Sequence, residues 1–108
     1  MSAPYENTLI RLIKDMEAKQ LPDGYAEIPL GNDQPRQIQS SLVFRLMTIY
    51  RGDRLEGQVW SVRNNSHHDV YLDPKYFQDD RVLAASFDRK ILKRNEFATL
   101  YWVKSHEA

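Results

Sequence analysis

The sequence predicts a mainly β fold: a small β-sandwich or barrel of six to seven antiparallel strands, preceded by one N-terminal amphipathic helix. Three observations carry this. Short segments rich in Val, Phe, Tyr and Trp alternate with turn residues about 8 to 12 positions apart. The strongest of them, SSLVFRLMTIYR at residues 40–51, is apolar on both alternating faces, as in a strand covered on both sides. Helical period is confined to the first residues, where Leu9, Leu12, Ile13 and Met16 fall at i, i+3, i+4 and i+7.

The helix is expected over about residues 4–19, with Ser2 as cap, Pro4 in the first turn and Glu6 near its start. Leu21-Pro22-Asp23-Gly24 ends it in a turn. Residues 25–30 alternate, and Pro29 suits only an edge strand. Residues 31–36 read as a loop. In the segment that follows, Leu42, Phe44, Leu46, Thr48 and Tyr50 share one face, with Val43, Arg45, Met47 and Ile49 on the other. The second sheet layer should cover one face, and the helix part of the other.

The chain is organised around residues 52–72: a strand (55–63), a polar turn (64–68) and the start of another strand. In the first, Trp60 and Val62 share a face, and Val59 points away. Asn64-Asn65-Ser66-His67 makes the turn and matches a glycosylation sequon. Val70-Tyr71-Leu72 is a short strand ended by Asp73-Pro74. Tyr76 and Phe77 are expected to tuck into the core, and Asp79-Asp80 to turn the chain. Leu83, Ala85 and Phe87 share a face of the next strand. Residues 90–96 form a polar connection anchored by Leu92, and FATLYWVK (97–104) is the last strand, with Tyr101 and Trp102 on opposite faces.

The 108 residues fit one domain, with the sandwich over about residues 25–104. Fifteen basic and 15 acidic side chains cancel, which argues against a nucleic-acid site of the usual basic kind. The absence of cysteine excludes disulfides and thiolate metal sites. No apolar run reaches the roughly 20 residues of a membrane helix, and no basic segment precedes an apolar core at the N-terminus. His67-His68-Asp69 has metal-ligand residue types, but a site needs three or four converging groups, so a solvated turn is the better reading. No nucleophile and base are paired, and no glycine-rich loop could cradle phosphate. No catalytic, metal or cofactor-binding residue is expected. The aromatics are best explained by core packing, with partner binding at Trp60, Tyr71 and Trp102.

In order and spacing the motifs resemble one family. An amphipathic helix runs into Leu21-Pro22-Asp23-Gly24-Tyr25, followed by Tyr50-Arg51-Gly52, Leu55-Glu56-Gly57 and Val62-Arg63-Asn64 with Ser66. Leu72, Phe77, Val82-Leu83-Ala84, Leu92 and Leu100-Tyr101-Trp102-Val103 complete the series. Over residues 8–104 the chain resembles the C-terminal domain of TraK, the secretin-like subunit of F-type conjugative type IV secretion systems. One departure is Arg94-Asn95, where the family has Pro-Gly before the last strand.

The resemblance implies a non-enzymatic, cofactor-free β-sandwich of the periplasmic outer-membrane core complex, used in plasmid transfer. It would bind a small TraV-like lipoprotein and a TraB-like bridging subunit, in a homo-oligomeric ring and with no membrane span of its own. It also implies a longer protein, with an N-terminal domain and a signal peptide. The alternative is a small β-barrel that binds single-stranded nucleic acid, through interleaved Arg45, Arg51, Arg63 and Trp60. An enzyme using His67 or His68 is the remotest reading.

Overall fold

In a computed structural model, the chain forms one antiparallel sheet with a helix on one face and a two-stranded sheet on the other. The structure describes residues 3–30, 36–39, 41–77 and 81–106, and side chains over 6–30, 41–75 and 81–106. The expectations for Ser2, for the loop after residue 30, for Asp79-Asp80 and for the Tyr76 and Phe77 side chains lie outside these residues.

The helix α1 spans Ala3–Glu17. It ends two residues earlier than expected because Lys19 turns left-handed, at φ 57°. The Lys19 amide then donates to Met16 O (3.0 Å) and the Gln20 amide to Asp15 O (2.9 Å), the paired bonds of a Schellman cap. Gly24, at φ 84°, completes a turn in which the Tyr25 amide donates to Pro22 O.

The strands are β1 (Ala26–Ile28), β2 (Arg36–Gln39), β3 (Leu42–Arg51), β4 (Leu55–Asn64), β5 (Val70–Tyr71), β6 (Val82–Phe87), β7 (Ile91–Leu92) and β8 (Phe97–Ser105). The main sheet runs β1-β3-β4-β8-β6, with β2 sharing the outer edge of β3 with β1. β5 and β7 pair separately through Val70↔Leu92 and Tyr71↔Ile91. The result is an unequal sandwich and not a closed barrel.

Each face of the sheet has its own core. Under α1, Leu9, Leu12 and Met16 pack with Tyr50, Leu55 and Val103. On the opposite face Leu42, Phe44, Leu46, Trp60, Val62 and Leu100 pack with Leu72 and Leu92. The helix sits closely because β4 offers Gly57 beneath it: a β-carbon there would fall 2.7 Å from Met16 Sδ.

Two bulges correct the expected faces. Register shifts between Leu46 and Thr48, so Leu42, Phe44 and Leu46 face the small sheet whereas Tyr50 joins the helix cluster. Register shifts again between Val82 and Ala84, sending Leu83 to the helix cluster and leaving Ala85 and Phe87 on the other side. An extra residue in one strand reverses every side chain beyond it, a change that strict alternation cannot register.

Candidate functional site

Trp60 lies in β4, between β3 and β8, and points into the larger core, where it is 6% exposed. The ring expected to bind a partner is thus packed among core residues. Its Nε1 donates to Gln58 Oε1 (2.9 Å), and Gln58 Nε2 donates to Glu56 Oε2 (2.5 Å). Alternate positions of one strand thus form a buried polar row beside the apolar core. Glu56, 3% exposed, also accepts from Arg51 Nε (2.9 Å), with Arg51 Nη2 at 2.8 Å and Lys104 Nζ at 3.5 Å. Burial by itself would raise the Glu56 pKa. The bonds from Gln58 and Arg51 and the charges of Lys104 and Arg51 outweigh it and hold the carboxyl below its ordinary value. The row opens into a cleft of about 610 Å³ lined by Arg51, Glu56, Arg81, Lys104, Ser105 and His106. The His106 amide donates to Arg54 O at 2.8 Å.

Trp102 is half-buried and lies against Trp60, with ring centroids 5.9 Å apart and planes tilted by 54°. Its Nε1 is buried and has no hydrogen-bond partner among the described residues. Tyr71, on the outer face of the small sheet, is 73% exposed beside the partly exposed Ile91. The three sequence-selected aromatics therefore do not form one surface. Trp60 and Trp102 lie against each other at the larger core, and Tyr71 stands outside it.

The arginines of the nucleic-acid reading also divide. Arg51 is committed to Glu56 on the Trp60 face, whereas Arg45 and Arg63 lie on the opposite face. His67, His68 and Asp69 are exposed on the turn after β4, and no group of three or more metal-ligand residues converges among the described residues.

Sequence reasoning missed Asn64. It is fully buried, so its sequon is not open to glycosylation. Its Nδ2 donates to His68 O (2.6 Å) and Leu92 O (2.8 Å), while Oδ1 accepts from the Ser66 amide (2.9 Å) and Ser66 Oγ (2.7 Å). One amide thereby ties the 64–68 turn to β7. The available signal was the Asn-x-Ser spacing, which suits a side chain that caps its own turn. Asn95, where the resemblance expected Pro-Gly, takes φ 64°, and its amide donates to Asn64 O at 2.9 Å. An asparagine tolerates this conformation far better than most residues, so the last turn survives the departure.

A further open feature is β6. It pairs with β8 on one side and with no strand on the other among the described residues. Its sequence, VLAASF, carries no charge and no proline to discourage another strand.

These elements define a class: a helix-backed, mainly β domain whose uncharged edge strand β6 has a strand on one side only among the described residues. The family of TraK C-terminal domains matches residues 1–104 of the 108, and the chain belongs to it. The family is a structural domain of conjugation systems, which makes the chain part of a conjugation or type IV secretion-related subunit. No curated protein matches the chain. Among the described residues no helix is long and apolar enough to cross a membrane.

Proposed function

We propose that this domain is a structural module of the outer-membrane core complex of a conjugative type IV secretion system, acting in the periplasm by binding. Its partners are a small TraV-like lipoprotein and a TraB-like bridging subunit, within a ring of identical subunits. Membership of the TraK C-terminal family supports this reading. The observation that carries the binding mode is the edge of β6, a six-residue uncharged strand with one side unpaired among the described residues. An extended segment of the lipoprotein adds to this edge through main-chain hydrogen bonds, which supply affinity, while neighbouring side chains supply selectivity. Tyr71 is an exposed aromatic contact for the same class of partner.

Hydrogen exchange tests the proposal directly. The chain is mixed with a TraV-like lipoprotein, and exchange is followed residue by residue. Binding should bring new protection to amides of residues 82–87. Failure of the two proteins to associate, or association that leaves those amides unprotected, refutes strand addition at β6.

A further inference from the structure

Helical spacing gives α1 three sides. Leu9, Leu12 and Met16 are buried on the sheet. Asn7, Thr8, Arg11 and Asp15 line a cleft against Gln20, Leu21 and Tyr25, on the side that leads into β1. Glu6, Ile10, Ile13 and Glu17, at i, i+4, i+7 and i+11, fall on the opposite flank. β1 and β6 lie at opposite ends of the main sheet, so this flank faces β6. The contacts agree. Ile13 packs on the same cluster as Leu83 and Ala84 of β6. Burial, and then the charges of Asp88 and Glu17, raise the Tyr101 hydroxyl above its ordinary pKa, and Tyr101 is paired with Ser86 of β6.

Ile10, one helical turn from Ile13, is 52% exposed. Glu17 is exposed at the last position of the helix, where the helix dipole favours a cation over a carboxylate. No ion pair engages it among the described residues. On the helix side β6 presents the small residues Ala84 and Ser86. A strand laid along β6 would therefore enter a shallow space bounded by Ile10 and Ile13. Successive residues of a strand point to opposite faces, so every second side chain of that strand turns toward the helix.

We propose that the segment added at β6 carries a large apolar residue on its helix-facing side, seated against Ile10 and Ile13, with a Lys or Arg two positions away, toward Glu17. This selection rests on strand addition at β6. Main-chain bonds to the edge hold any extended segment, and the flank of α1 decides which sequence is accepted. The apolar residue covers Ile10, and the cation meets a carboxylate at the end of the helix where a positive charge is favoured.

The test titrates a TraV-like lipoprotein onto the 108-residue chain and three variants, with hydrogen exchange of residues 82–87 recorded beside the affinity. Ile10→Ser should weaken binding roughly fivefold, as for uncovering a half-exposed isoleucine. Glu17→Lys should weaken it to a similar extent and reduce its dependence on salt. Arg11→Ala, on the other flank, should leave affinity unchanged. The Glu17→Lys chain should melt no lower than the parent, because lysine suits the end of a helix. That readout separates lost binding from lost folding. Protection of residues 82–87 with parental affinity in both Ile10→Ser and Glu17→Lys overturns the selection and leaves strand addition standing. Absence of that protection in the parent chain overturns strand addition and the selection with it. An equal loss in Arg11→Ala moves the contact off this flank and also overturns the selection.

Discussion

Met16 Sδ lies 2.7 Å from where a β-carbon on Gly57 would stand, so the helix rests on the one position in β4 without a side chain. Sequence gives this glycine no helical or turn role. Its function is to let α1 approach β4. Gly57→Ala should therefore destabilise the chain by about 1–3 kcal/mol in urea titration, as overpacking does. In a chain already carrying Met16→Ala, the added cost of Gly57→Ala should shrink, because the clashing atoms are gone. Equal costs in both backgrounds would show that the contact is not the reason for the glycine.

Asn64 supplies two donors to main-chain carbonyls and an acceptor to Ser66. Asn64→Ala should cost about 2–4 kcal/mol, since it removes the buried bonds to the His68 and Leu92 carbonyls and unties the turn. Asn64→Asp should be at least as damaging, because a carboxylate would face the carbonyls of His68 and Leu92. A neutral outcome for either in chemical denaturation would refute this role.

Glu56 titrates below its ordinary value of 4.5 in the fold, so folding favours its ionised form. The stability this contributes is present above pH 4.5 and is lost as pH falls through the lower folded value. Thermal melts of the parent and of Glu56→Gln should differ most near neutrality and converge as pH falls through the lowered folded value. A gap that widens on acidification would contradict the ion pairs with Arg51 and Lys104.

Trp60 and Tyr71 should part company under truncation. Trp60→Ala should cost about 3–5 kcal/mol, as for large core aromatics. Tyr71→Ala should change stability by no more than about 0.5 kcal/mol, as at exposed positions. Circular dichroism melts decide both, and a costly Tyr71→Ala would place that ring in the core.

Much of this fold was legible because hydrophobic periodicity reports burial directly. The stripe of Leu9, Leu12 and Met16 faced the sheet as its spacing required, and Trp60 and Val62 shared an inward face. β7 was not legible. It is two residues long and sits in a polar connection, where only Leu92 betrayed it. β2 was not read as a separate strand, and its first residue, Arg36, was placed in a loop, because RQIQ gains strand character only from pairing with β3.

By itself the sequence determined a helix followed by short strands, the family to which they belong, and the balance of charge. Those depend on local period, turn chemistry and motif order, which a linear chain displays. The tertiary structure decided which aromatics are core, since burial of Trp60 depends on β3 and β8 flanking β4. It decided the faces beyond each bulge, where one extra residue reverses the alternation. It also brought Glu17, Tyr101 and Ser86 together, because elements distant in sequence become neighbours only through packing and the register of the sheet.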